Sequence, residues 1–127
     1  MTQDNLAGHL APHESWKYIL RVMEDETIIF KTQLADILSN DFERRHLVRL
    51  EVFQHRFLKM DEQIGLLRHE VRELQMVAQQ NNGTAIHPAR VTALQEMLMA
   101  KMDTVQDNFE TLASDFKTYL HKYFPSI

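Results

Sequence analysis

The stretch from Leu50 to Leu74 reads LEVFQHRFLKMDEQIGLLRHEVREL. Leu50, Phe53, Phe57, Met60, Ile64, Leu67, Val71 and Leu74 follow one another at alternating steps of three and four. All eight positions are apolar, and charged or polar residues fill most of the intervals. That period is the seam of a helix packed against other helices, and it does not fit the period-two alternation of a strand. Gly65 falls off the seam, so it costs about 1 kcal/mol relative to alanine without removing a core side chain.

Upstream, Trp16, Leu20, Met23, Thr27, Phe30, Leu34 and Ile37 repeat the four-three spacing, with Thr27 as the one polar member. This predicts a first helix over about 13–39, preceded by a flexible arm at residues 1–12. The break falls at Ser39-Asn40-Asp41. Asn40 is placed to cap a second helix over 41–80, with Glu43 three residues on as the capping-box carboxylate. Downstream, Gln79-Gln80-Asn81-Asn82-Gly83-Thr84 is a turn. Gly83 suits a left-handed helix terminus and Pro88 the first turn of a third helix, over 88–124. In that helix Val91, Leu98, Val105, Leu112 and Tyr119 recur every seven residues, beside Met102, Phe109, Phe116 and Tyr123; Gln95 is the polar intruder in the second series.

The expected fold is therefore all-α, an elongated antiparallel three-helix bundle with coiled-coil-like heptad seams. The 127 residues suit one domain, and 44% apolar with 25% charged residues is a globular balance. A net charge of −4 argues against a dedicated nucleic-acid binder. With no cysteine in the chain, thiolate metal sites and cysteine nucleophiles are excluded. No basic region followed by an apolar run opens the sequence, and no apolar run approaches the ~20 residues of a membrane span. A cytoplasmic location is the expectation.

His13 to Trp16, Phe53-Gln54-His55-Arg56-Phe57 and Leu67-Arg68-His69-Glu70, with Asp61-Glu62-Gln63-Ile64 between the last two, resemble elements of a group of small uncharacterised bacterial proteins. The resemblance covers roughly the first two helices. It implies a small helical bundle and carries over no catalytic residue.

Several constellations bear on chemistry. Glu43-Arg44-Arg45-His46 contains Glu-x-x-His, the helical element of di-iron carboxylate bundles, and the second helix's seam extended backward makes Glu43 and His46 core-facing. No second Glu-x-x-His occurs, so the simpler reading has Glu43 capping and His46 at a frayed end. His69-Glu70-Val71-Arg72 resembles the phospho-accepting segment of sensor-kinase dimerisation hairpins, but Glu73-Leu74 depart from it, and a solvent-facing histidine is the simpler reading. His9 and His13 stand at a metal-clamping interval that Pro12 interrupts. His55, His87 and His121 have no evident partners. Arg45, Arg49, Arg56 and Lys59 form a basic stripe, with Glu24, Asp25 and Glu26 of the first helix as expected ion-pair partners.

Helix lengths add one expectation. The second and third helices should run roughly 55–60 Å and the first nearer 40 Å. The first would then cover the end near Asn40 and leave the tip near Gly83 without a partner. The candidate interaction surface is accordingly Val71, Leu74, Val77, Val91, Leu94, Met97, Leu98 and Met99. The methionines would suit an adaptable contact with another helical protein or a second copy, unless Leu6 and Leu10 of the arm cover the tip. The function expected is non-enzymatic, through protein–protein interaction or self-association; the alternative is a histidine-dependent activity, metal binding at Glu43 and His46 or phosphotransfer at His69. No cofactor, metal, small-molecule substrate, membrane or nucleic acid is expected.

Overall fold

The computed structural model describes residues 12–80 and 88–126. The described residues form three helices, α1 (Pro12–Ser39), α2 (Leu47–Gln80) and α3 (Pro88–Tyr123), with a 3-10 turn at Arg44–His46 ahead of α2. No strand occurs among the described residues. Each helix is antiparallel to the next, and α2 is the central one, because α1 and α3 approach each other at far fewer positions than either approaches α2.

The seams are the core. All seven α1 positions from Trp16 to Ile37 and all eight α2 positions from Leu50 to Leu74 are buried, together with Leu98, Met102, Val105, Phe109, Leu112, Phe116 and Tyr119 of α3. Fully burying a large apolar side chain contributes about 1.5–3 kcal/mol, so these rows hold the three helices together. Thr27 is fully buried and satisfied, since its Oγ1 donates to the Met23 carbonyl at 2.7 Å. Tyr123, the last member of the companion series, is partly exposed at the helix end.

The first connection differs from the expected capping box. Asn40 closes α1 instead of opening α2: its N–H donates to the Ile37 carbonyl at 3.2 Å and its Nδ2 to the Asp36 carbonyl at 2.7 Å. Residues 41–43 are not helical, and Glu43 is extended (φ −66°, ψ 131°) with no side-chain capping bond. Its carboxylate pairs with Arg45 Nε at 2.7 Å. The helical path thus resumes only at Arg44, which removes Glu43 from the seam and leaves His46 on it.

That delay sets the register. Lys31 meets Asp61 at 2.6 Å, Glu24 pairs with Arg68, and Gln75 Nε2 donates to Glu14 at 3.2 Å. Continued, this register sets Ser39 level with Phe53 and Trp16 level with Leu74. α1 is therefore displaced toward the Gly83 end by the length of chain spent in the connection. The expected coverage is reversed. Val71, Leu74 and Leu98 are buried within the single chain, Val71 completely. The Asn40 end lies beyond α1 and is closed by the half-buried Phe42 of the connection and by aromatic rings of α3. The same register explains why Glu24, Asp25 and Glu26 do not serve the basic stripe, since they lie level with Arg68 and not with Arg45–Lys59. Residues 1–11 of the expected arm, Leu6 and Leu10 among them, and Gly83 lie outside the described residues, while Pro12 opens α1.

Candidate functional site

Of the eight residues expected to form an uncovered surface, three are core and five remain accessible. Val77, Val91 and Leu94 are half-buried, and Met97 and Met99 are about half exposed. The correction follows from α1 reaching Gln75: Trp16 supplies the lid that the helix-length argument had left to another chain.

A groove stays open between α2 and α3, on the side away from α1. Arg56 donates to Asp115 at 3.0 Å and Lys101 to Glu70 at 3.0 Å, which marks residues 49, 52, 56, 59, 63, 66, 70, 73 and 77 as the flank of α2 that turns toward α3. Three clefts lie in succession along it. The first, of 260 Å³, has Arg56, Lys59 and Gln63 facing Asn108 and Thr111. The next, of 380 Å³, runs between Leu66 and Ala100. The last, of 330 Å³, lies between Val77 and Met97 over the buried Leu74 and Leu98. Glu70 and Lys101 line both of the latter two, so these form one continuous apolar trough bridged by an ion pair.

Leu66 is 64% exposed and Met97 54%, and both border this trough. Tyr18 and Val22, also exposed, border a separate cleft of 310 Å³ between α1 and α3, while singly scattered residues such as Val48 and Leu58 are normal on a protein surface. Met76 and Met99 are exposed outside the trough, and Met102 is core. Leu66 lies off the seam, and only the position of α3 beside it gives it a role; the sequence signal was the stripe of three-four steps running from Arg49 to Val77.

The histidines divide differently. His46 is buried, 8% exposed, and its Nδ1 lies 2.6 Å from the Tyr119 hydroxyl. Its ring also meets those of Tyr123 and Phe124, with centroids 4.9 and 5.2 Å apart. Burial raises the Tyr119 phenol above its ordinary pKa; Tyr123 adds to the rise, while Arg49 and Arg45 oppose it. Sequence reasoning missed this pair, although both residues stood on seam positions at the same end, where a buried polar group requires a partner. The structure does not bring Glu43 to His46: one carboxylate points into solvent toward Arg45, and the other ring points into the core. Among the described residues no three His, Asp or Glu side chains gather closely enough to hold a metal ion. His69 is exposed and faces Glu73 at 3.6 Å. His55 and His121 are exposed as well. His9, His87 and the side chain of His13 lie outside the described residues.

Of the basic stripe, Arg45 pairs with Glu43 and Arg56 with Asp115, while Arg49 stacks over the Tyr119 ring at 6.0 Å. No helix among the described residues is long and apolar enough to cross a membrane. No family model, curated protein or solved structure matches the chain, so the resemblance noted in its first two helices assigns it to no family.

Proposed function

We propose that this protein is a non-enzymatic helical-bundle module that acts by self-association, a second copy docking antiparallel on the α2–α3 groove. The observation that carries this reading is the apolar trough bordered by Leu66 and Met97, continuous with a basic half at Arg56 and Lys59.

The order of residues along the open flank of α2 supports a second copy as the occupant. It runs Val52, Arg56, Lys59, Gln63, Leu66, Glu70, Glu73, Val77. Turned end for end about a point midway between Gln63 and Leu66, the list pairs Val52 with Val77, Arg56 with Glu73, Lys59 with Glu70 and Gln63 with Leu66. Apolar meets apolar at the ends, and every charge meets its opposite. A two-fold axis there repeats each pairing twice, as an isologous interface requires. Lys59 has no ion-pair partner among the described residues, so a partner subunit's carboxylate would be its first. From Val52 to Val77 the strip is about 38 Å long, and at roughly 15 Å wide it would bury about 1,200 Å² over both copies, the lower edge of a stable interface.

Light scattering across a concentration series tests the reading. A dimer is expected in the micromolar range, and Leu66→Lys should return it to monomer with helicity unchanged. A strict monomer at several hundred micromolar, or a Leu66→Lys dimer as tight as wild type, refutes it.

A further inference from the structure

Where the basic flank of α2 reaches the Asn40 end, a polar cleft of 170 Å³ is lined by Arg45, His46, Arg49, Tyr119 and Tyr123. We propose that this cleft is an oxyanion site that takes a phosphoryl group, held by the two guanidinium groups and the ring N–H of His46.

His46 is the buried polar member of this cluster. Its ring is more than nine-tenths buried, and Nδ1 is engaged by the Tyr119 hydroxyl at 2.6 Å. Nδ1 and the hydroxyl share this one hydrogen bond. In the tautomer in which the phenol donates to Nδ1, the ring proton lies on Nε2. Nε2 has no protein partner. Because no side-chain nitrogen or oxygen among the described residues is both fully buried and unpartnered, Nε2 must reach solvent, and the solvent beside it is that of the cleft. His46 thus lines the cleft, with the orientation of its ring fixed by the buried phenol at Nδ1.

The walls carry the charge. Arg49 lies 6.0 Å above the Tyr119 ring and has no carboxylate partner among the described residues. Arg45 lies 6.0 Å above the Tyr123 ring and uses Nε for Glu43. Rings stacked beneath guanidinium groups limit their motion without neutralising them. Glu51 stands on the stripe of α2 that holds Asp61 and Arg68, both paired with α1, so it turns away from the cleft. Two guanidinium groups and one ring N–H supply three directions of donation, which suits the three terminal oxygens of a phosphoryl group better than the two of a carboxylate. The cleft admits one such group, with the aromatic edge of Tyr123 at its rim.

The test is an NMR titration of ¹⁵N-labelled protein with inorganic phosphate, O-phosphoserine and phenyl phosphate, ionic strength being held with sodium chloride. Saturable shifts of the His46 ring and of Arg45 and Arg49 Nε signals are expected with at least one of the three. Arg49→Gln should weaken that binding at least tenfold, and Arg72→Gln, on an exposed face elsewhere, should not change it. Tightest binding of phenyl phosphate identifies an aromatic ester that uses the Tyr123 edge; tightest binding of inorganic phosphate or phosphoserine identifies a free or aliphatic group. Non-saturating shifts with all three, or equal affinity in Arg49→Gln, overturns the proposal. Arg49 is exposed, and circular dichroism verifies that its variant keeps the fold.

Discussion

At the Asn40 end of the bundle, His46, Tyr119, Tyr123 and Phe124 meet ring against ring and continue through Phe53 and Phe116 to Phe57 and Phe30. At the Gln80 end of α2 the core consists of Val71, Leu74 and Leu98 beneath Trp16, and the groove above them is lined by Val77, Leu94 and Met97. One end is closed by α3's own rings and a buried hydrogen bond, because α1 stops short of it. The other is closed by α1, and its outer groove stays apolar. The connection at residues 40–46 therefore does more than join two helices. By leaving the helical path for several residues it slides α1 along α2, and so decides which end needs aromatic filling.

Phe116→Ala should have the largest effect, about 3–5 kcal/mol in urea unfolding, because Phe116 is fully buried against Phe30, Phe53 and Phe57. Trp16→Ala should cost about 3 kcal/mol and should also raise dye binding at the uncovered Val71 and Leu74, a signature the aromatic end would not give. As the chain's one tryptophan, Trp16 reports on that end alone. Wild-type unfolding followed by its fluorescence should coincide with circular dichroism if the two ends are one cooperative unit.

Tyr119→Phe should cost about 1–3 kcal/mol, since it leaves a buried ring nitrogen without its partner. The same residue gives the aromatic end a pH signature. Its folded pKa is raised by burial, so the unfolded chain releases the phenolic proton first. The stability that the neutral phenol confers is complete below its ordinary value, about pH 10, and is lost as pH rises through the higher folded value. Alkaline destabilisation should therefore be shallower in Tyr119→Phe than in wild type. Midway between the ends, Gly65→Ala should gain about 1 kcal/mol, because nothing lies within 4 Å of the added methyl. The smallest change should be Thr27→Val, within about 0.5 kcal/mol, since the Met23 carbonyl keeps its helical bond when the hydroxyl is removed. A thermal scan compared with wild type checks both.

The seams were legible because burial on a helix has a period. Leu50 to Leu74 and Trp16 to Ile37 needed only their spacing. The register was not legible, because a plausible capping box at Asn40 and Glu43 and the observed extended link differ by a few residues of backbone, and either satisfies local preferences. That ambiguity carried through to the site. Starting α2 at residue 41 left Val71, Leu74 and Leu98 bare; starting it at Leu47 buries them under Trp16 and shifts attention to Leu66. The His46–Tyr119 bond depends on two residues 73 positions apart, and no local pattern couples them.

Antiparallel pairing about an axis between Gln63 and Leu66 fixes the distances between equivalent residues of the two copies. The chain has no cysteine, so single spin labels can be placed by substitution at Gln63 and, separately, at the exposed Val48. Pulsed EPR should find the two Gln63 labels within roughly 20 Å of each other across the axis and the two Val48 labels about 50 Å apart, from the helical rise alone. Equal short distances at both sites would mean parallel pairing, and no dipolar signal at either would mean no pair; either result contradicts the account.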